Sequence, residues 1–146
     1  MKVYLDACCL NRPFDDQVQD RIRMESEAIL IILNHLYAHD WEWIGSEALE
    51  AEIKRTPNID KRNRIMLLAS CVHHSIRIEK REIERAKDLV NMGFNSFDAL
   101  HVACAESGGV DIFLTTDDKL LKLATKMSER INIVISNPIS WIMEVV

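Results

Sequence analysis

The sequence SFDALHVACAESGGVDIFLTTDD, residues 96–118, contains an apolar helix, a glycine pair, a short apolar run and two acids, in that order. Residues 97–106 have the apolar character of a largely buried helix, capped by Asn95 or Ser96 and ended by the glycine pair. Residues 112–114 predict a buried strand, and Asp117 follows it after two threonines. A helix followed by a strand that ends beside acids is typical of α/β proteins.

The same alternation of strands and helices extends over the rest of the chain. Strands are predicted at residues 2–5, 41–45, 75–78, 112–114 and 131–135. Helices are predicted at 18–39, 46–55, 60–71, 80–92, 97–106 and from Thr115 or Thr116 to 129, with a loop at 11–16 and a last helical turn at 137–142. Such alternation requires crossover connections. We therefore predict a three-layer α/β/α fold with a mostly parallel sheet.

Length and composition predict a single folded domain over residues 1–146. The chain is 48% hydrophobic and 28% charged, which is typical of a folded protein rather than a disordered one. Only four glycines and three prolines are spread along it, so no interdomain linker is expected. Nothing repeats internally.

The net charge of −5 argues against a protein whose surface is covered by basic residues for nucleic-acid binding. It does not exclude an enzyme that acts on nucleic acid, because a site made of carboxylates lowers the net charge and its bound cations attract phosphate. The four cysteines show no disulfide spacing, and the longest apolar stretch, residues 28–33, is too short to cross a membrane. Without a recognisable signal peptide, a cytoplasmic protein with no membrane association is expected.

Two acids follow predicted strands, and carboxyl ends of parallel strands are where α/β proteins form their sites. Asp6 ends the first strand, and Asp117 follows the strand at 112–114. Each has a structural alternative, because an acid at these positions also serves as a turn or helix-capping residue. Taken singly, neither acid distinguishes between these two roles.

Two further acids lie on predicted helices. Asp98 lies in the first turn of a helix with a buried apolar face, where a carboxylate is costly unless it is paired or binds metal. Glu52 flanks the apolar stripe of the helix at 46–55, although most glutamates in such positions are surface charges. The pattern becomes specific only when the four acids are considered together.

Four sequence blocks resemble, in order and spacing, the motifs of the PIN domain family. They are Val3–Asp6, Ser46 with Glu52 and Ile53, Phe97–Ala103, and Leu114–Asp118. Each block is short and apolar and is weak by itself, but the four together extend over almost the whole chain. The likeness is to small prokaryotic PIN proteins of the VapC-like toxin kind.

This resemblance implies a Rossmann-like PIN fold with a sheet of four or five strands. It also implies that Asp6, Glu52, Asp98 and Asp117 are catalytic and bind Mg²⁺ or Mn²⁺. Hard cations prefer such oxygen ligands, and a bound ion can activate water and stabilise a leaving oxygen. The implied activity is hydrolysis of phosphodiester bonds in mainly single-stranded RNA. The implied role is the toxin of a type II toxin–antitoxin system, with an antitoxin as partner and a homodimeric assembly.

One position departs from the family pattern. The residue after the first acid is usually Ser or Thr, and here it is Ala7. Asn11 is a candidate to replace the missing polar group. The departure keeps open an alternative function, a non-catalytic PIN-fold module that binds RNA or protein.

Other residues near the acids in the sequence are candidates for supporting roles. Substrate binding is assigned to Arg12, Lys54 and Lys119, although each is equally well an ordinary solvated charge. Support of the acids is assigned to Asn11, Thr115 and Asp118. His101 lies three residues after Asp98 and is interpreted as a core histidine, with a supporting role as the alternative. Cys8, Cys9, His73 and His74 lack the spacing of a zinc site.

Overall fold

The computed structural model describes residues 1–146, in which five strands alternate with eight α-helices and one short 3₁₀ helix. The strands are β1 (Lys2–Leu5), β2 (Glu42–Ser46), β3 (His74–Ile76), β4 (Ile112–Leu114) and β5 (Val134–Ser136). The helices are α1 (Ala7–Asn11), α2 (Asp20–Tyr37), α3 (Glu47–Lys54), α4 (Ile59–Ala69), α5 (Lys80–Asn91), α6 (Ser96–Ser107), α7 (Asp118–Lys126) and α8 (Pro138–Val145); the 3₁₀ helix is Arg12–Phe14.

All five strands lie in one parallel sheet with the order β3-β2-β1-β4-β5. The first strand is central, and Val3 pairs with Trp43 on one side and with Ile112 on the other. The predicted α/β class and parallel sheet are confirmed. Because the strands are parallel, the residues that follow β1, β2 and β4 lie along one edge of the sheet.

The sheet has a hydrophobic core on each face. Side chains alternate between the faces along a strand, so Val3 and Leu5 belong to one core and Tyr4 to the other. Helices α1, α2, α3, α4 and α8 contribute to the first core, and α5, α6 and α7 to the second. The molecule therefore has the three predicted layers. None of its helices combines the length and apolar character needed to cross a bilayer.

The predicted loop at residues 11–16 is wrong in its first part. The carboxylate of Asp6 accepts a hydrogen bond from Cys9 N and caps α1, which begins directly after β1. Arg12 has a helical backbone although Pro13 follows it. The usual restriction before proline is overridden here, and the Arg12 side chain is held by ion pairs with Asp15 and Glu25.

The helix after β4 also begins later than predicted. Its N-cap is Asp117, rather than Thr115 or Thr116, and the helix ends at Lys126 instead of residue 129. The last strand is correspondingly displaced to Val134–Ser136. Ile131, which was assigned to that strand, is buried in the second core outside the sheet.

Candidate active site

The four predicted acids lie at the carboxyl edge of the sheet or on the helices that begin there. Asp6 directly follows β1, and Asp117 follows the paired strand β4 after two threonines. Glu52 is on α3, which continues from β2, and Asp98 is in the first turn of α6. Parallel pairing of β1 with both β2 and β4 therefore brings the segments of three acids to one edge.

The carboxylates influence one another electrostatically. The pKa of Asp98 is raised from 3.8 to about 6, mainly by burial and then by the negative charges of Asp117, Asp6 and Glu52. Burial and the same four carboxylates also raise the pKa of the Cys8 thiol, so this thiol stays protonated. The structure thus brings the four predicted acids together, with Cys8 near all of them.

Asp6 is the most enclosed of the four acids. Its residue is 4% exposed, and its Oδ1 accepts a hydrogen bond from Cys9 N over 3.0 Å. Burial raises the pKa of this carboxyl group, while hydrogen bonds from Thr115 and Cys9 oppose the rise. A buried acid with such partners is held in one place and keeps part of its capacity to accept a cation.

Asp117 caps a helix, which is one of the two roles that its sequence position left open. Its Oδ1 accepts hydrogen bonds from the backbone N–H groups of Lys119 and Leu120, so it caps α7. Its charge also raises the pKa of Asp98. Thr115 Oγ1 accepts the Asp117 N–H over 3.1 Å, and the Thr115 hydroxyl also lowers the pKa of Asp6. The buried Thr115 therefore lies at the candidate site, where it contacts Asp117 directly.

Glu52 is held by a buried histidine. His101 Nε2 lies 2.9 Å from Glu52 Oε2, and His101 Nδ1 lies 2.6 Å from the Tyr4 hydroxyl. That hydroxyl is also 2.6 Å from Ser46 Oγ. Burial raises the pKa of the Tyr4 phenol well above its ordinary value, so it remains neutral. His101 is thus a core histidine, as first interpreted, and also a direct partner of a predicted site acid.

A cleft of about 470 Å³ opens beside Asp117 and Cys8. Asn11, Arg12 and Lys61 also line it. Arg12 Nη1 and Lys61 Nζ lie 3.0 Å and 2.7 Å from opposite oxygens of Asp15, which holds both cations at the cleft. Lys61 was missed in the sequence, because it lies in the first turn of α4 and no strand end or motif marks that turn.

The other predicted cations lie outside this cleft. Lys54 is exposed and lines a separate groove between α3 and α4, and Lys119 is exposed on α7. The guanidinium of Arg55 lies 5.0 Å from the centre of the ring of Phe97, which precedes Asp98 in the sequence. A cation over this ring is attracted by the ring's π-electrons. Arg12 is the one predicted cation that the structure places in the cleft.

Asn11 and Asp118 have defined partners of their own. Asn11 lines the cleft, and its Nδ2 donates to the carbonyl oxygen of Ala7. Asp118 accepts two hydrogen bonds of 2.8 Å from Arg21, which lower the pKa of this exposed carboxyl group. Asp118 is therefore engaged with α2 rather than with the four acids, and its predicted supporting role has no contact in its favour.

A fully buried glutamate lies behind the cleft. Glu25 accepts hydrogen bonds from Arg12 (2.9 Å), Arg21 (3.4 Å) and Asn137 (2.7 Å), which come from the 3₁₀ helix, α2 and the start of α8. Its side chain is 0% exposed. Glu25 falls on the same apolar stripe of α2 as Ile29 and Ile32, and this spacing indicates its burial.

The side chains of the four acids are of the type that a hard divalent cation prefers as ligands. Four carboxylates can supply oxygen ligands. Repulsion by the other three acids contributes to the raised pKa of Asp98, and a bound cation would reduce this repulsion. No three of the Asp, Glu, His and Cys side chains form a ready group around one metal position. The acids are thus electrostatic neighbours whose residue types fit Mg²⁺ or Mn²⁺, without a closed set of ligands.

Replacing Asp98 is expected to stabilise the metal-free protein. The folded-state pKa is raised to about 6, so ionised Asp98 opposes folding above that pH, and the penalty disappears below pH 3.8. Asp98→Asn should therefore gain about 1–2 kcal/mol at pH 8, after allowance for solvent screening, and nothing at pH 3.5. Urea unfolding in EDTA at both pH values measures this difference. Asp60→Asn, an exposed first-turn acid of α4, is the matched control; an equal response of both variants would contradict the prediction.

Comparison with known proteins agrees with this architecture. The family model described as PIN domain matches residues 3–126. FitAcB from Neisseria gonorrhoeae is similar in structure, with a TM-score of 0.59 and 16% identity over 93% of this chain and 97% of that one. VapBC-1 from nontypeable Haemophilus influenzae has a TM-score of 0.58 and 13% identity over 94% and 98%.

A third similar structure is VapBC2 from Rickettsia felis bound to a DNA fragment from the promoter. Its TM-score is 0.56, with 15% identity over 94% of this chain and 98% of that one. Identities this low show a common fold. No curated protein sequence matches the chain.

Proposed function

Because the chain belongs to the PIN domain family, we propose that it is a divalent-metal-dependent ribonuclease. PIN domains are generally nucleases. The proposed substrate is single-stranded RNA. The proposed reaction adds water across the P–O3′ bond and leaves a 5′-phosphate and a 3′-hydroxyl.

The observation that carries this proposal is the mutual electrostatic influence of the four acids. Asp98 carries a pKa of about 6 because of burial and the charges of Asp117, Asp6 and Glu52. A protein gains nothing in stability from gathering like charges at one sheet edge. The arrangement makes sense for a site that binds cations, and we assign the role of metal-binding and catalytic residues to these four acids.

Bound Mg²⁺ or Mn²⁺ would activate a water molecule and stabilise charge on the leaving oxygen. The residues of the chain perform the remaining tasks. Thr115 holds Asp117 through its backbone N–H, and His101 holds the Glu52 carboxylate. Arg12 and Lys61 place positive charge at the cleft beside Asp117, where the phosphate backbone of RNA would be attracted. Lys54 and Lys119 remain candidates for contacts further along the strand.

The absence of a hydroxyl at Ala7 does not leave Asp6 without one. Ala7 is buried and apolar, whereas the Thr115 hydroxyl, at the end of the neighbouring strand, lowers the pKa of Asp6. We infer that Thr115 supplies the hydroxyl that other family members supply from the position after the first acid. A hydroxyl supplied by Thr115 in place of the one missing at Ala7 favours a catalytic protein over a non-catalytic binding module.

We further propose that the protein is the cytoplasmic toxin of a toxin–antitoxin pair and forms a homodimer. The resemblance to VapC-like toxins and the fold shared with VapBC proteins support this assignment. Helices α4 and α5 expose apolar side chains, and a partner chain would cover these side chains. Leu67, on α4 beside the groove lined by Ile53 and Met66, is 72% exposed. On α5, Ile83 and Val90 line a second groove with Leu100 of α6.

Cleavage of labelled RNA tests the proposal. Purified wild-type protein, free of any antitoxin, should cut single-stranded RNA with Mg²⁺ or Mn²⁺ and should stop when EDTA is added. Restoring excess metal should restore cutting, because the ion supplies several kcal/mol of charge stabilisation. A duplex of the same sequence is the control for strand preference. Absence of cleavage across several RNAs, by protein shown to be folded, would favour the non-catalytic RNA- or protein-binding module.

A further inference from the structure

We propose that His101 is a positioning residue for Glu52, and that Tyr4 and Ser46 complete the hydrogen bonding behind its ring. The inference rests on the proposed function, since it gives Glu52 the role of a metal ligand. It adds to that function a buried chain of side chains other than the four acids. The chain runs from Ser46 through Tyr4 and His101 to Glu52.

The four members come from different parts of the fold. Tyr4 is on the central strand, Ser46 ends β2 and caps α3, and His101 is in the middle of α6. Tyr4, Ser46 and His101 are each at most 1% exposed, and the distances along the chain are 2.6, 2.6 and 2.9 Å. The chain ends at Glu52, whose side chain is 29% exposed at the carboxyl edge of the sheet. It therefore connects the core with the candidate site.

Hydrogen-bond chemistry gives this chain one direction when the ring is neutral. An ionised carboxylate only accepts, so His101 Nε2 must carry the proton that points to Glu52 Oε2. His101 Nδ1 then has a lone pair and accepts the proton of the Tyr4 hydroxyl. Ser46 donates its own proton to Tyr4 and accepts the N–H of Leu49. Every member is satisfied, because the Glu52 carboxylate requires the proton on Nε2 and the Tyr4 hydroxyl donates to the free lone pair of Nδ1.

The consequence for Glu52 is a fixed orientation. A glutamate side chain has three rotatable bonds, so it loses much conformational entropy when its carboxylate is fixed on an ion. Here Oε2 is already held, whereas Oε1 has no hydrogen-bond partner and remains available to a cation. A partly exposed glutamate can be satisfied by water alone, so the buried ring is not needed for its solvation. Partners of this kind typically change metal affinity by about 10–100-fold.

Mn²⁺ titration, followed by the electron paramagnetic resonance signal of the free ion, tests the proposal without measuring cleavage. His101→Leu should weaken Mn²⁺ binding by about 10-fold or more. His101→Gln, whose amide can still donate to Glu52, should recover most of the affinity. In a Glu52→Gln background, His101→Leu should cause no further loss, because its effect passes through Glu52.

Two further variants separate positioning from loss of folding. Phe113→Leu removes the ring that stacks on Tyr4 at 4.9 Å and should lower stability while leaving Mn²⁺ affinity unchanged. Tyr4→Phe removes the proton donor to Nδ1 with little change of shape. In the wild-type protein, nitrogen NMR of the imidazole ring should show a proton on Nε2 and none on Nδ1. In Tyr4→Phe the proton should stay on Nε2, because Glu52 still accepts it, while Nδ1 loses its donor.

Each outcome supports or overturns the proposal. If Glu52→Gln weakens Mn²⁺ binding and His101→Leu does not, Glu52 remains a ligand and the positioning role of His101 is wrong. If Phe113→Leu weakens binding as much as His101→Leu, the effect is general to the core and the proposal is again wrong. If Glu52→Gln binds Mn²⁺ like the wild type, the ligand role of Glu52 fails, and the inference fails with it. A proton found on Nδ1 with Nε2 bare contradicts the proposed direction.

Discussion

Asp6→Asn is expected to reduce RNA cleavage by about 1000-fold or more. The change removes a negative charge from the cation site, and loss of several kcal/mol of charge stabilisation corresponds to a factor of this size. The fold should survive, because asparagine is also a good N-cap and its side-chain oxygen can accept the hydrogen bond from Cys9 N. Initial rates on labelled single-stranded RNA, at saturating Mg²⁺ or Mn²⁺, measure the effect.

The matched control is the same Asp-to-Asn change at the opposite end of the strands, where they begin. Asp111 precedes β4 and accepts a hydrogen bond from Lys2 N through Oδ2, far along the strands from Asp6. Asp111→Asn should cleave RNA at the wild-type rate. If Asp6→Asn retained a tenth of the wild-type activity, the assignment of the cation site to this sheet edge would be wrong.

Glu25→Ala is expected to destabilise the protein by about 3 kcal/mol, as is typical when one partner of a buried ion pair is removed. The substitution leaves a cavity and takes from Arg12, Arg21 and Asn137 a common acceptor. For a domain of this length, the melting temperature should fall by roughly 6–12 °C. Urea unfolding at pH 7 measures the change in free energy directly.

The control for this variant lies two residues further along the same helix. Glu27 is exposed on α2, and Glu27→Ala should change the free energy of unfolding by less than about 0.5 kcal/mol. A loss below about 1 kcal/mol in Glu25→Ala would mean that the three partners are satisfied by water instead. The network would then have no structural role behind the cleft.

The layered fold could be predicted because its signals are local. Apolar runs such as Ile112–Leu114 mark the strands, and the acids that follow β1 and β4 mark the edge of the sheet that carries the candidate site. The helix starts are also local where a good capping residue is present, as at Ser46 and Asn95. The start of α7 was displaced because three successive polar residues, from Thr115 to Asp117, are all competent caps.

The rest of the site depends on contacts between residues that are distant in the sequence. Lys61 reaches the cleft only because it pairs with Asp15, 46 positions earlier. His101 meets Tyr4 across 97 positions, and neither residue type is informative by itself. Arg12 illustrates the opposite case, because its position beside the acids was predicted from the sequence although the prediction for its backbone was wrong. Its helical conformation before proline belongs to a buried network that no local rule describes.

The central position of the first strand has a consequence for the biosynthesis of the protein. Chains emerge from the ribosome N-terminus first, and β1 must wait for β4, more than 100 residues later, to obtain its second neighbour. Asp117 follows β4 in the sequence and joins the other acids only when β4 pairs with β1. Long-range parallel pairing is intrinsically slow to form. A nascent chain therefore carries an incomplete set of acids until β4 has been synthesised, and the proposed nuclease activity would be delayed until then.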